Sequence, residues 1–285
     1  MKDVEGRTPE TIWFGKDVGT TREASEELKV LFDGETPFET PKPTKLAKKL
    51  LQLATDKANK DLILDFFAGS ATTAHAVLEK NKEDGGNRKF ICVQLPEPCS
   101  EKSEAFKSGY KTIADIGKER IRKVIQKIKK EIKENKLLLF PENNPALDLG
   151  FKVFKLSNSN FKLWDINMPK EKEVIQKKLS IHVDHINPNS SQEDILYEIL
   201  TKSGFPLTTK IEQITLEGKT VFSIAEGAML ICLEKTLTTE VIKAIAERQP
   251  VRVVCLDAGF QGNDQLKTNA VQIMKSKKIT DFRTV

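Results

Sequence analysis

Residues 61–77, DLILDFFAGSATTAHAV, combine the residue types that can hold a small ligand. An apolar run over 62–67 ends at small residues, and a helical pattern with Thr72 and Thr73 follows directly. Glycine can adopt positive φ and lets the backbone approach a ligand closely. A helix that begins here presents free N–H groups, and Ser70, Thr72 and Thr73 are types that cap helices. The segment therefore predicts either a ligand cradle or an ordinary tight strand–helix turn.

The elements around this turn determine where it lies. Residues 62–67 and 89–95 are typical of strands, and residues 72–81 between them are typical of a helix. Alternating strands and helices predict a parallel sheet, and the apolar run 62–67 is typical of a strand buried on both faces. Open α/β sheets bind ligands outside the carboxyl ends of their strands, where this turn lies. The other elements predicted in this half are a strand at 11–15 and helices at 22–32, 44–55 and 110–136.

A second α/β pattern begins at residue 151. Residues 218–235 are typical of a hairpin that turns at Glu226 and Gly227. A helix, a strand and a helix are then predicted at 238–249, 251–257 and 263–278. We therefore predict four regions: a polar segment at 1–38, a part-domain with the ligand turn at 39–140, a linker at 141–150 and a smaller α/β domain at 151–285.

Composition narrows the classes of protein. The 285 residues carry a net charge of +5, which permits an anionic partner without requiring one. No apolar run approaches the roughly 18 residues that span a bilayer, so we predict no membrane partner and a cytoplasmic location. The four cysteines lie far apart without a Cys-x-x-Cys pair, which favours free thiols.

Other kinds of site have weaker support. The glycine patterns of phosphate loops and dinucleotide folds are absent. His182, Asp184 and His185 have metal-ligand types, but no fourth ligand cluster lies nearby, so we predict no metal. His75 falls inside the helix after the turn, which favours a packed side chain. The helix at 110–136 is rich in Lys and Arg, which indicates either a solvated face or a contact with a phosphate backbone.

Several of these segments resemble a known family. DFFAGSATTAHAV is similar to the cofactor motif of amino-group DNA methyltransferases, Asp-x-Phe-x-Gly-Ser-Gly-Thr-Thr. With FETPKPTKLAKKLL, RKFICVQLPEP and GYKTIADIGKERIRKV, the chain resembles the modification subunits of type III restriction–modification systems. Three later segments, GFKVFKLSNSNFKLWD, ILTKSGFPLTTKIE and VCLDAGFQGNDQLKTNAVQ, resemble the C-terminal region of the same subunits. The resemblance implies a Rossmann-like part-domain, an adenine-N6 DNA methyltransferase activity and S-adenosyl-L-methionine as cofactor.

The resemblance also implies cofactor-binding residues. Thr40 and Lys42 would meet the methionine end of the cofactor, and Asp65 would either hold the loop through backbone N–H groups or face the cofactor amine. An acceptor for the ribose hydroxyls is expected after the second strand, where Gln94 and Glu97 are the candidates. The family has glycine where this chain has Ala71, and alanine is strained if the position requires positive φ. The loop itself maps to Asp65, Phe67, Ala68, Gly69, Ser70 and Thr72.

One family motif is missing from the sequence. The Asp-Pro-Pro-Tyr motif accepts hydrogen bonds from the target amine, but this chain has no Pro-Pro dipeptide and no tyrosine next to a proline. We therefore expect no catalytic residue here and interpret the chain as a C-terminal portion of a modification subunit. Its expected partners are DNA, the N-terminal portion of the subunit, another modification subunit and a restriction subunit. The alternatives are a non-catalytic subunit-interaction module and a decayed fragment.

Overall fold

The computed structural model describes residues 10–134, 147–162 and 186–285. The chain divides into two compact units, one up to Phe151 and one from Lys152 onward. We call them the N-terminal unit and the C-terminal unit. Most of the predicted linker and the three residues considered as metal ligands, His182, Asp184 and His185, lie outside the described residues.

The N-terminal unit is α/β, as the alternating pattern predicts. Its helix starts follow local signals: Thr20 and Glu23 form a reciprocal capping box, and Pro43 precedes a helix at the position where proline costs little. The predicted strand at 11–15 is wrong, because a four-residue helix begins at Gly15. The elements are α1 Gly15–Val18, α2 Thr21–Leu31, α3 Thr44–Ala54, β1 Leu62–Asp65, α4 Thr72–Asp84, β2 Lys89–Cys92, α5 Glu104–Lys107 and α6 Ile113–Glu134.

Strands β1 and β2 form a parallel pair in which Leu64 lies opposite Ile91. One face of this pair is covered by helices, because Ile63 and Phe90 pack against buried residues of α3 and α4. The opposite face is exposed, and burial of β1 on both faces, as the sequence suggested, is wrong for the described residues. The apolar side chains of this exposed sheet face are Leu62, Leu64, Phe66, Ile91, Val93 and Leu95, which are 45% to 65% exposed.

The C-terminal unit is built on a five-stranded sheet in the order β3-β4-β5-β6-β7. The first three strands are antiparallel, and β5, β6 and β7 are parallel. The predicted hairpin is confirmed, and Ala225, Glu226 and Gly227 take positive φ at its turn. The elements are α7 Gln192–Lys202, β3 Ile211–Leu216, β4 Lys219–Ile224, β5 Met229–Cys232, α8 Thr239–Glu247, β6 Arg252–Cys255, a 3₁₀ turn Asp257–Phe260, α9 Asp264–Ser276 and β7 Asp281–Thr284.

Glu198 on α7 joins the start of this unit to the helix. Its carboxylate accepts hydrogen bonds from Ser159 Oγ at 2.6 Å, from Asn160 N at 2.7 Å and from Asn160 Nδ2 at 2.8 Å. Burial alone would raise the pKa of Glu198, but the hydrogen bonds from Lys202, Ser159 and Asn160 lower it to about 2.

The lowered pKa predicts a pH-dependent stability. A depressed carboxyl pKa contributes stability that is present above about pH 4.5 and lost as the pH falls towards 2. Glu198→Gln should therefore destabilise the C-terminal unit by about 2 kcal/mol at pH 7 and by much less near pH 2. Urea unfolding at both pH values measures the difference, and the exposed Glu193→Gln is the matched control. A Glu198→Gln effect that is the same at both pH values would contradict this account.

Candidate functional site

The turn after β1 is held by the carboxylate of Asp65. Oδ1 accepts a hydrogen bond from the backbone N–H of Phe67 at 3.1 Å, and Oδ2 accepts one from Thr73 Oγ1 at 2.5 Å. Of the two arrangements left open for Asp65, the structure therefore contains the first, in which the side chain holds the loop. The two bonds join the end of the strand to the first turn of α4.

Two residues of the turn have left-handed backbone conformations. Gly69 has φ +51°, and Ala71 has φ +60° and ψ +41°. Ala71 is the residue before α4, and no side chain caps the helix there. The prediction that Ser70, Thr72 or Thr73 caps this helix is therefore wrong. The structure needs positive φ at the one position where this chain replaces the family glycine.

The end of β2 lies against the same turn. Ala68 N donates to Val93 O at 3.1 Å, and Gly69 N donates to Gln94 Oε1 at 2.7 Å. Gln94 thus supports the loop, whereas the side chain of Glu97 is exposed. Because β1 and β2 are parallel, this contact lies at the carboxyl edge of the sheet, where α/β folds bind ligands.

The segment before α3 approaches the turn from a second side. Thr72 Oγ1 donates to the backbone carbonyl of Lys42 at 3.4 Å. The side chains of Thr40 and Lys42 are exposed, and Phe67 is 87% exposed. The structure therefore brings segment 40–43 and the turn together, with a hydroxyl, an ammonium and an aromatic ring accessible to solvent.

Ser70 and Thr72 face the interior instead. Both are nearly fully buried, and Ala68 between them and the strand is buried as well. The guanidinium of Arg120, on α6, donates to Ser70 Oγ at 2.9 Å and to Thr72 Oγ1 at 2.8 Å. A ligand at the accessible side of the turn would therefore meet the backbone of these residues. Sequence reasoning missed Arg120, although it lies on the apolar stripe of α6 beside Ile116 and Val124.

His75 is packed, as its helical position predicts. It is 1% exposed, and its Nδ1 accepts from Arg120 Nε at 3.3 Å. The other ring nitrogen therefore carries the proton and lies 3.2 Å from Glu79 Oε1. Burial opposes ionisation of Glu79, but His75, Lys127 and Lys48 lower its pKa to about 2.

Gly117 is a second residue that the sequence analysis missed. A Cβ added there would lie 3.1 Å from the backbone oxygen of Gly69 and 3.5 Å from Cβ of Ala71. Helix α6 therefore approaches the turn closely only because residue 117 has no side chain. This contact and the Arg120 hydrogen bonds place α6 directly behind the turn.

The geometry of Ala71 leads to a prediction. Its backbone already has the left-handed conformation, so glycine should leave the loop in place. Ala71→Gly should relieve about 1 kcal/mol of left-handed backbone strain, which stabilises the folded chain. It should also destabilise the folded chain by a similar amount, because glycine has more conformational entropy when unfolded and the buried methyl group is lost. We expect the melting temperature to change by less than about 4 °C. The affinity for S-adenosyl-L-methionine, the cofactor that the resemblance implies, should stay within about twofold of that of the parent. Paired melting and titration measurements test this, and a tenfold tighter complex would show that alanine distorts the loop.

The basic face of α6 is largely paired. Lys118 lies 2.7 Å from Asp115, Lys123 lies 2.6 Å from Asp33, and Lys127 lies 3.5 Å from Glu79. These pairs favour a solvated helix face over a surface dedicated to binding phosphate.

In the described parts of the chain, every helix is too short or too polar to traverse a lipid bilayer.

Comparison with known proteins finds a matching family model and similar modification subunits. Residues 2–130 match the model of a DNA methylase family. The chain is 30% identical over its whole length to the EcoPI modification subunit of Escherichia phage P1, and 31% identical over 93% of its length to the EcoP15I subunit of Escherichia coli. Over these stretches the chain is similar to type III modification subunits. It is also 43% identical over 52% of its length to the StyLTI subunit of Salmonella typhimurium.

The comparisons also bear on length. The chain spans 42%, 38% and 21% of the EcoPI, EcoP15I and StyLTI subunits, respectively. DNA methylases, the family whose model matches residues 2–130, require a methyl donor. The turn after β1 lies inside the matched residues 2–130, so the site described above lies within the stretch that matches the DNA methylase model.

Proposed function

We propose that this chain supplies the cofactor-binding loop of an adenine-N6 DNA methyltransferase of the type III modification kind, with S-adenosyl-L-methionine as the methyl donor. The observation that carries the proposal is the turn at the carboxyl edge of β1 and β2. Asp65 and Gln94 accept hydrogen bonds from backbone N–H groups of this turn and fix its conformation. Segment 40–43 lies against the turn and forms a second side of the site. The adenine specificity in this proposal rests on the similarity to type III modification subunits alone.

The residues present fit this cofactor. The accessible ammonium of Lys42 and hydroxyl of Thr40 suit a methionine carboxylate, and the exposed Phe67 ring suits a flat or sulfonium-bearing group. Glu97 has the free carboxylate that suits ribose hydroxyls, whereas Gln94 is already engaged with Gly69. Gly69 has no side chain at this turn, and an added Cβ would lie 3.4 Å from the ring of Phe38.

Each group has a defined task in this proposal. S-adenosyl-L-methionine, when bound, supplies a methyl group to the exocyclic amine of a base. Asp65 fixes the loop, Gly69 leaves room for the ligand, and Lys42 and Glu97 orient its two polar ends. We assign no proton-transfer or target-binding role to these residues, in keeping with the missing Asp-Pro-Pro-Tyr motif.

We further propose that the N-terminal unit is part of a Rossmann-like domain completed by the N-terminal portion of a modification subunit. The exposed sheet face supports this, with six apolar residues on β1, on β2 and on the segments that directly follow them. Parallel sheets are usually covered on both faces, whereas α3 and α4 cover only one face here. DNA, another modification subunit and a restriction subunit are the further partners in this proposal, because the named relatives are subunits of restriction–modification enzymes.

Calorimetric titration with S-adenosyl-L-methionine tests the proposal. We expect saturable binding that S-adenosylhomocysteine competes for, since both ligands share the amino-acid and nucleoside groups. We expect the complex to be weak, because the exposed sheet face indicates that part of the pocket wall is not supplied by the described residues. Adenosine triphosphate is the control ligand, and equal binding of all three compounds would contradict a specific methyl-donor site.

A further inference from the structure

Among the described residues of the N-terminal unit, the largest fully buried side chain carries a charge. Arg120 is 0% exposed, and a buried guanidinium is costly unless its N–H groups have acceptors. Burial lowers its pKa to about 10, while Glu27 and Glu79 oppose this shift, so the group stays charged at neutral pH. A charge in this place needs an explanation beyond packing, because an apolar residue would fill the same space without the cost of desolvation.

The acceptors of Arg120 come from the segments that form the proposed cofactor site. Nη1 donates to Ser70 Oγ at 2.9 Å and to Thr72 Oγ1 at 2.8 Å, at the turn and the start of α4. Nη2 donates to Thr44 Oγ1 at 3.1 Å, the first residue of α3 and the second residue after Lys42. Nε donates to His75 Nδ1 at 3.3 Å. One planar group therefore joins α6, α4 and α3.

Two of these acceptors also donate a hydrogen bond of their own, which extends the network beyond Arg120. Thr72 Oγ1 accepts from Arg120 and donates to the carbonyl of Lys42 at 3.4 Å. Thr44 Oγ1 accepts from Arg120 and donates to Glu27 Oε2 at 2.7 Å. The carboxylate of Glu27 also lies 3.8 Å from the guanidinium and partly balances its charge. These hydrogen bonds, all on the buried side of the turn, thus fix the spacing between the turn and segment 40–43.

We infer that Arg120 is a positioning residue that sets the turn after β1 and the segment before α3 at the separation the cofactor requires. The inference rests on the proposed function for the identity of the ligand. Arg120 is buried away from the ligand and acts through Ser70, Thr72 and Thr44, whose hydroxyls accept its hydrogen bonds. Lysine cannot replace it, because an ammonium is compact and has three donors, whereas the guanidinium fork has five in one plane.

The test compares Arg120→Lys with Arg122→Lys in the full chain. Arg122 lies on the same helix, is half exposed and pairs with Glu119, so it controls for the chemistry of the substitution. We expect Arg120→Lys to bind S-adenosyl-L-methionine about tenfold more weakly and Arg122→Lys to bind like the parent. Equal affinities for the parent and Arg120→Lys would overturn the inference.

A second pair of variants leaves Arg120 unchanged, so that its results do not depend on whether Arg120→Lys folds correctly. Thr72→Val removes the hydroxyl that accepts from Arg120 with little change of shape, and Thr72→Ser keeps that hydroxyl. Binding that falls in Thr72→Val and recovers in Thr72→Ser supports a role through the hydroxyl. Equal loss in both variants would instead assign the effect to packing and overturn the inference.

Hydrogen exchange separates this inference from the proposed function, because it needs no ligand. The amides of Gly69 and Ala71 are bonded to Gln94 Oε1 and Ala68 O in the turn. We expect them to exchange several-fold faster in Arg120→Lys, while amides of β5 in the C-terminal unit stay unchanged. Failure of the parent to bind the cofactor would refute the proposed function alone. Unchanged exchange at Gly69 and Ala71 in Arg120→Lys would refute the role of Arg120, whatever the ligand is.

Discussion

Gly69→Val should abolish measurable binding of S-adenosyl-L-methionine. Gly69 has φ +51°, and a Cβ there would already lie 3.4 Å from the ring of Phe38. A β-branched residue is strained in this conformation, and its methyl groups would fill the approach to the backbone. A free loop that relaxes out of this conformation to relieve a strain of roughly 3 kcal/mol must regain it on binding, which corresponds to about a hundredfold loss of affinity. Titration calorimetry at a temperature where both proteins are folded measures the change.

Gly262→Val is the matched control for this experiment. Gly262 also has positive φ, at +71°, but it lies in the C-terminal unit, with no atom within 4 Å of an added Cβ. The control variant carries a similar backbone strain without blocking the proposed cradle. Affinity that is retained by Gly262→Val and lost by Gly69→Val supports the loop assignment, whereas equal affinity of both variants would end it.

Methyl transfer should require an Asp-Pro-Pro-Tyr segment, which residues 1–285 do not contain. The chain contains no Pro-Pro dipeptide, so we expect background incorporation of labelled methyl groups into DNA by this chain alone. Addition of a polypeptide with the Asp-Pro-Pro-Tyr segment of a modification subunit should raise incorporation by orders of magnitude, because it supplies the groups that orient the target amine. Strong incorporation by this chain alone would show that another segment binds the target.

Leu64→Lys tests whether the exposed sheet face carries that association. Leu64 is 47% exposed, so lysine should leave the isolated chain folded. Burial of the ammonium under a partner would cost about 3 kcal/mol or more, which is about a hundredfold in association. Leu156→Lys, at a leucine that is 99% exposed, is the control. Equal complementation by both variants would show that the partner does not cover this face.

Local sequence signals predicted the strand–turn–helix unit well. The apolar run that stops at small residues marks the end of β1, and the start of α4 at Thr72 follows directly. Capping at this helix was predicted wrongly, since Ser and Thr hydroxyls are satisfied by Arg120 instead of by the helix N-terminus. A capping preference describes local energetics, and a buried guanidinium outweighs it.

Long-range contacts account for what sequence reasoning missed. Arg120 and Gly117 lie about 50 residues from the turn that they support. A basic residue and a glycine on the apolar stripe of α6 were the available signals, but they are hard to separate from a lysine-rich solvated face. Burial of β1 on both faces was predicted from its continuous apolar run, whereas burial depends on which helices cover each face. The strand at 11–15 was wrong because a short apolar run fits a strand and a helix start equally well.

Amide chemical-shift mapping tests the central claim most directly. The claim is that S-adenosyl-L-methionine binds at the carboxyl edge of β1 and β2, against the turn after β1. Titration of the isotopically labelled chain should shift the amides of Phe67 to Thr73, of Thr40 and Lys42, and of Glu97, while amides of β5 and β6 keep their positions. Shifts confined to the C-terminal unit, or no shifts at saturating ligand, would contradict the account.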